Sequence, residues 1–563
     1  GELLMDCGSA PFTGVDVGGI EALSLAARSD KYHVKAIKPL PRRKLYEKVP
    51  LLDCFTAPCK GGCPIHQDIP EYIELCRKGE YASALRLITE KNPLPFITGT
   101  ICAHNCMTKC MRNYYDEPVN IRATKLVAAE RGYEAYMAKI KAPVPVTDGR
   151  KVAVIGGGPT GMAAAYFVGR AGIPVTIFEL AGVLGGVVRQ VIPAFRISAD
   201  AIDHDVALMF KMGVEVKLNT EAPSVAELKA QGYTHIFFAV GAWKAGRLDI
   251  PGNVVPVIGW LKDMKAGKDV SLGHVAVVGG GNTAMDAARA ALRAGAKSST
   301  LVYRRTKKYM PADAEELEMA IADGVEFLEL VAPVEQKDGK LVCEKMKLGD
   351  PDEKGRRKPV PTGERGEIPC DTVVAAVGEK VESEVFTRNG ITVDEKGIPD
   401  FKTNLEGVYA GGDAMRGPAT VVEGIADAQY FANAVIGEAH KFAIPGKAVA
   451  TREEAIAKKG ILCESAKCEG DRCLTCNVVC QVCADVCPNR ANVVIELPDG
   501  RQQILHVDRM CNECGNCAVF CPYDSAPYRD KFTLFLTREG FDESAQNRGF
   551  LPLGGKKVLV RLN

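Results

Sequence analysis

The chain contains the same unit twice, and that repeat constrains its fold more than any other feature. An apolar strand, Val152 to Ile155, runs into Gly156-Gly157-Gly158-Pro159-Thr160-Gly161 and an alanine-rich helix. A second strand, Val275 to Val278, runs into Gly279-Gly280-Gly281-Asn282-Thr283-Ala284 and another such helix. Strand, tight turn and helix in that order predict an α/β architecture with parallel sheets, one per unit. Glycine lets a backbone approach a pyrophosphate closely, and the helix N-terminus adds free amides and a favourable dipole. A purely structural glycine turn is the plainer reading of such a motif alone; the whole unit, with its following strand, argues for dinucleotides.

Those following strands end differently. Val175-Thr-Ile-Phe-Glu179 closes on a carboxylate 18 residues beyond Gly161, where it could bind ribose hydroxyls. Thr300-Leu-Val-Tyr303 closes on Arg304 and Arg305 instead. A carboxylate repels a 2′-phosphate and a guanidinium fork pairs with it, so the second unit reads as an NADPH site. The bland alternative is two solvated arginines on a loop.

Cysteines carry the second signal. Cys476-x3-Cys480-x2-Cys483-x3-Cys487-Pro488 and Cys511-x2-Cys514-x2-Cys517-x3-Cys521-Pro522 lie near the C-terminus. The second run has the spacing of two-cluster ferredoxins, in which the cysteine before proline ligates the other cubane. Cys487 is therefore expected with Cys511, Cys514 and Cys517, and Cys521 with Cys476, Cys480 and Cys483. Either Cys473 or Cys476 opens the first run. Zinc ribbons also use paired Cys-x2-Cys units, but one zinc takes four thiolates and these runs supply eight. Cys463, Cys468 and Cys473 either hold an additional cluster or are structural. Cys343 and Cys370 form no Cys-x2-Cys redox pair, and Cys7 has no assignment.

The 563 residues suggest three to five domains at about 150 residues each. A net charge of +1 gives no reason to expect nucleic acid or an anionic membrane as partner. No run approaches about 18 apolar residues, and no signal segment opens the chain, so a cytoplasmic protein without membrane insertion is expected. Twenty-one cysteines clustered beside nucleotide motifs point to metal ligands in a reducing compartment rather than disulfides.

Further along, Gly407-Val408-Tyr409-Ala410-Gly411-Gly412-Asp413 reads as a short strand ending in a Gly-Asp turn. With this third motif the chain, over roughly residues 46 to 450, resembles the glutamate synthase small subunit family and the related N-terminal half of dihydropyrimidine dehydrogenase. The resemblance implies FAD on the first unit through Gly156, Gly158, Pro159, Gly161, Glu179, Gly186, Arg189, Gly241, Gly412, Asp413 and Thr420. It implies NADPH on the second through Gly279, Gly281, Asn282, Thr283, Ala284, Arg304 and Arg305. Phe238 to Gly241 and Val374 to Gly378 look like the crossover strands between the two domains, although generic core strands would read the same.

The resemblance also implies a helical iron–sulfur domain holding one or two N-terminal [4Fe-4S] clusters on Cys54, Cys59 and Cys63, followed by Cys102, Cys106 and Cys110. Two-cluster relatives have a further cysteine where this chain has Leu51, and Lys125 stands where an amide or carboxylate ligand is expected. Six thiolates cannot fill eight places, so one site is lost, incomplete, or finished by an oxygen such as that of Asp53 or by another chain. Cys76 lies within a helical segment and reads as packed core.

The expected layout is an N-terminal extension over 1–45, the helical iron–sulfur domain over 46–145, and an FAD domain over 146–255 and 365–450. An NADPH domain over 256–364 and a ferredoxin-like two-cluster [4Fe-4S] domain over 451–563 complete it. With its leading segment, a possible tail of a larger barrel-like region, the whole most resembles the flavoprotein subunit family named for selenate reductase, found with anaerobic purine breakdown enzymes. The implied function is electron transfer between NADPH, FAD and iron–sulfur clusters, to or from redox partner subunits in a hetero-oligomeric complex, with no acid–base catalytic residue. Two other readings are a self-contained reductase of a small ring substrate and a glutamate synthase-like small subunit. A non-catalytic docking scaffold would leave the arginine pair unexplained.

Overall fold

The computed structural model describes residues 22, 56–268, 270, 272–351, 357–437, 449–496, 502–523, 525–544, 547–555 and 557–562. Apart from residue 22, the expected N-terminal extension lies outside these, as do Cys7, Leu51, Asp53 and Cys54. The chain divides into two compact units, whose described residues run over 56–480 in the larger and 481–562 in the smaller. The expected break at 451 therefore moves to 480: residues 451–480 pack with the larger unit.

That unit opens with a helical segment whose longer helices are α1 (Ile69–Arg77), α2 (Tyr81–Thr89), α3 (Pro95–Ile101) and α4 (Ile121–Met137). Asn120 caps α4, its side chain accepting from the Ala123 amide, and Pro95 opens α3 at a position where no amide is needed.

A first parallel sheet follows, from β1 (Val152–Ile155), β2 (Val175–Phe178), β3 (Glu215–Lys217), β4 (His235–Phe238) and β15 (Val408–Ala410), in the order β15-β4-β1-β2-β3. Helix α5 (Pro159–Arg170) joins β1 to β2, and α6 (Ala199–Phe210) leads towards β3. Strand β1 is buried throughout, as a central strand covered on both faces must be.

Two short strands that pair with each other, β5 (Lys244–Ala245) and β14 (Glu379–Lys380), mark the way into and out of an inserted second domain. Its parallel sheet is β6-β13-β7-β8-β9, with β6 at Val254–Pro256, β7 at His274–Gly279, β8 at Ser298–Tyr303, β9 at Glu326–Glu329 and β13 at Thr372–Ala376. Helices α7 (Val257–Lys265), α8 (Asn282–Arg293) and α9 (Ala314–Ala322) accompany it. Because β13 pairs with β7 and β6 starts at 254, the second sheet reaches beyond the 256–364 expected. An antiparallel layer, β10 (Val331–Lys337), β11 (Lys340–Pro351) and β12 (Arg357–Pro369), precedes β13. The chain then returns to the first sheet through β15 and α10 (Val421–Ile436), which carries a Thr420/Glu423 capping box and ends at left-handed Gly437.

One apolar core runs from Ile65, Ile69 and Ile73 of the helical domain through Val154, Met162 and Ile177 to Phe431, while the second sheet keeps its own core around Val277, Ala288 and Leu301. In the smaller unit a five-stranded sheet, β16 (Asn492–Glu496), β17 (Gln502–Val507), β18 (Phe532–Leu534), β19 (Gly549–Gly554) and β20 (Lys557–Arg561), carries the hairpin β16–β17 between the two cysteine runs. Among the described residues no helix is long and apolar enough to cross a membrane.

Candidate functional site

The first glycine turn is held open by its own geometry. Gly156 has φ +105, and a Cβ there would sit 2.4 Å from the Ala239 carbonyl oxygen; a Cβ at Gly161 would sit 2.0 Å from that of Gly156. Neither position admits a side chain, so strand and helix meet closely at the turn. Glu179, nearly buried at the end of β2, accepts hydrogen bonds from the Gly157 amide at 2.6 Å and the Ala181 amide at 2.7 Å.

Beside the turn lies a cavity of about 670 Å³, lined by Gly156, Gly158, Pro159, Glu179, Gly186, Gly241, Asp413 and Thr420 from the expected set. Its volume and its glycine cradle suit a dinucleotide, and the lining meets at the carboxyl ends of the strands, where such sheets bind ligands. Trp243, Lys262, Glu382 and Arg388 also line it, and none had been picked out from sequence. The Asp413 carboxyl accepts from the Ala419 amide at 3.1 Å. Burial, with Glu379, Glu423 and Asp427 nearby, pushes its pKa up to about 6.

Three expected residues stand behind the cavity wall. Gly161 and Gly412 shape the turns, the Gly412 amide donating to Asp427 at 2.9 Å. Arg189 pairs with Asp203 instead of lining the cavity.

At the second turn a Cβ on Gly279 would lie 2.1 Å from the Ala376 carbonyl oxygen, so this turn too abuts a neighbouring strand. Asn282 at the start of α8 accepts from the Asp313 amide at 3.0 Å, and the Ala312 amide donates to the Gly280 carbonyl, holding the loop after β8 over the turn. Thr283 and Ala284 continue α8. Arg304 is exposed at the end of β8, and Arg305 donates to the Arg357 carbonyl at 3.2 Å. Both residues thus follow directly on the C-terminal end of β8.

The two sheets are bridged by charges invisible in the sequence. Arg196 pairs with Asp286 of α8 at 2.9 Å and with Glu316 of α9, while Phe195 lies under Arg289 and Arg293. Burial raises the Asp286 carboxyl to about 6 against the pull of Arg196. Lys265 reaches back to the Ile192 carbonyl, and burial lowers its pKa to about 8.

The thiols gather in separate places. In the smaller unit Cys487, Cys511, Cys514 and Cys517 line one cavity with Asn492, His506 and Tyr528. In the larger unit Cys59, Cys110, Cys473 and Cys476 line another, with Ile73, Leu474 and Arg112 among its walls. Burial raises the Cys59 thiol well above its ordinary value, and Cys473, Cys476, Cys110 and Cys106 add to the shift. Cys63, Cys102 and Cys106 form a further group, in which burial raises the Cys63 and Cys106 thiols and the buried Lys125 partly opposes the shift. Cys76 touches none of these cavities. Among the described residues no His, Cys, Asp and Glu side chains are grouped as ligands of a single metal ion. Thiols around a cavity suit a cluster, where each sulfur takes a different iron.

Residues 150–428 match the pyridine nucleotide-disulphide oxidoreductase family, and residues 45–136 match the dihydropyrimidine dehydrogenase domain II 4Fe-4S cluster family. The chain is 41% identical to the oxidoreductase YgfK of Escherichia coli (strain K12), over 98% of this chain and 56% of YgfK. It is 36% identical to the NADPH-Fe(3+) oxidoreductase subunit beta of Geobacter sulfurreducens, over 72% of this chain and 66% of that one. It is 30% identical to the glutamate synthase (NADPH) small chain of Escherichia coli (strain K12), over 68% of this chain and 89% of the small chain. The chain thus spans just over half the length of YgfK.

Proposed function

We propose, for a chain that belongs to the family of the glutamate synthase (NADPH) small chain and binds FAD, NADPH and [4Fe-4S] clusters, that it carries electrons between NADPH and iron–sulfur centres as one part of a larger oxidoreductase. The observation that carries this reading is the cavity of about 670 Å³ that joins the first glycine turn, Glu179 and Asp413 in the unit that also holds the N-terminal thiols. The flavin supplies the exchange between two-electron and one-electron chemistry; the protein supplies position and electrostatics.

In this reading Gly156 and Gly158 let the backbone close on a pyrophosphate, Glu179 receives ribose hydroxyls, and Asp413 with the amides at the start of α10 meets the flavin's chain. Across the cavity Trp243 and Lys262 form the wall nearest the inserted domain. Gly279, Gly281 and Asn282 seat the second nucleotide, and Arg304 and Arg305 face its 2′-phosphate. No side chain is assigned proton transfer.

Relatives named as beta subunits and small chains support a partner subunit for this chain too, and the cluster-bearing segments before and after the nucleotide domains are its natural outlets. The anaerobic setting and the purine connection belong to the same proposal and rest on the resemblance; a cytoplasmic location belongs to it too, supported by cysteines clustered as metal ligands, which suit a reducing compartment. The purified, FAD-loaded chain is expected to reduce an artificial one-electron acceptor with NADPH and far more slowly with NADH. No reduction by either nucleotide would overturn the reading. Turnover of a purine without a second polypeptide would replace it with a self-contained reductase.

A further inference from the structure

The helical domain has six thiolates for the eight places of a two-cluster site, and Leu51 stands where a further cysteine is expected. The structure brings two thiols to it from more than 360 residues away in sequence. Cys59 and Cys110 line a cavity whose remaining wall is Cys473-Leu474-Thr475-Cys476. The Cys473–Cys476 turn is set by Thr475, a non-glycine residue at φ +51 whose hydroxyl donates to the Cys473 carbonyl at 3.3 Å. A branched residue in the left-handed region persists only where its surroundings impose it.

The segment is fastened to the helical domain by several polar contacts. Arg472 donates to the Glu117 carbonyl at 2.6 Å, Glu469 accepts from the Asn120 amide at 2.8 Å, and Asp116 accepts from the Cys463 amide at 2.7 Å. Lys458 and Glu74 form an ion pair, both buried. Two guanidinium groups flank the thiols. Arg112 is fully buried on the cavity wall with Nη1 unpartnered, and Arg472, beside Cys473, keeps Nε unpartnered. Unsatisfied buried donors next to convergent thiols fit an anionic group, and a cubane on four thiolates is one.

We propose that Cys59, Cys110, Cys473 and Cys476 are the four ligands of a [4Fe-4S] cluster assembled from both ends of the nucleotide-binding core. Cys473, unassigned by spacing, and Cys476 then make up the two thiolates by which six fall short of eight. Cys476 thereby leaves the ferredoxin-like set. Arg112 and Arg472 provide hydrogen bonds and positive charge at the cluster.

The test is anaerobic iron and acid-labile sulfide analysis of the full chain, with electron paramagnetic resonance after dithionite reduction, so the result does not depend on NADPH. Cys59→Ser, Cys473→Ser and Cys476→Ser are each expected to lose about four irons and the same signal, with FAD content retained. Cys76→Ser should keep both iron and signal. Full iron and an unchanged spectrum in Cys473→Ser would overturn the proposal, as would loss of a different signal in Cys476→Ser. Should Cys473→Ser fail to fold, Cys473→Asp keeps a ligating atom; there a shifted signal is expected, and an unshifted one overturns the assignment.

Discussion

The two nucleotide units share a plan and differ at one atom. In the first, Gly161 stands where a Cβ would meet a backbone oxygen at 2.0 Å; in the second, the same place is taken by Ala284, whose Cβ is accommodated in a fully buried site. The first turn therefore leaves no room for a Cβ at this place, and the second accommodates one. The strand ends divide the same way, with Glu179 locked by two amides and Arg304 exposed.

The sharpest way to break this comparison is to exchange the residues. Gly161→Ala should destabilise the protein by about 3 kcal/mol and empty it of flavin, because a carbonyl cannot move aside as a flexible side chain can. Ala284→Gly should cost only about 1 kcal/mol. Thermal unfolding and bound flavin report both, and equal effects would dissolve the distinction.

Next in size is nucleotide choice. Replacing Arg304 and Arg305 by Ala should weaken NADPH by about 10- to 150-fold, the worth of about 1.5 to 3 kcal/mol for charged hydrogen bonds to a phosphate, and leave NADH nearly unchanged. A parallel loss for both nucleotides would mean that the arginines serve the loop, as the Arg305 bond to Arg357 already does in part.

Asp413 gives a smaller effect with a definite sign. Its folded pKa of about 6 lies above the ordinary 3.8, so between those values the folded chain holds a proton that the unfolded chain has lost. Stability of flavin-free protein should therefore fall as pH rises from about 4 to about 6, and level off above. Asp413→Asn should flatten that part of the profile. Persistence of the slope in the variant would assign it elsewhere, to Asp286, Asp205, Glu379 or Glu71, whose carboxyls burial also raises.

The parallel sheets were legible because β1, β7 and their partners are short apolar runs followed by glycine turns, a local signal. The layer β10–β12 was not: β12 carries Pro359, Pro361, Gly363 and Gly366 and is mostly exposed, a composition that argues against a strand until β11 pairs with it. Cysteine spacing foreshadowed the gathering of Cys487 with Cys511, Cys514 and Cys517, all within one short stretch. It could not foreshadow Cys473 beside Cys59, because spacing says nothing of partners hundreds of residues apart. The contacts of Arg196 with Asp286 and Glu316 were hidden for the same reason.

The continuity of one core and the separateness of another also set how the protein comes apart. The helical domain and the first sheet share their apolar interior, and Asp205 of α6 accepts from the Phe96 and Ile97 amides at the start of α3, so neither can melt without the other. The inserted sheet has its own interior and is bound across by Arg196, Lys265 and two short strands. Calorimetry should resolve an early transition for the insert and a later, sharper one for the joint body. During turnover the same partition assigns rigidity and freedom. The span from the cysteine-lined cavity to the first glycine turn is built in at folding, and breathing motion is left to the nucleotide that must come and go.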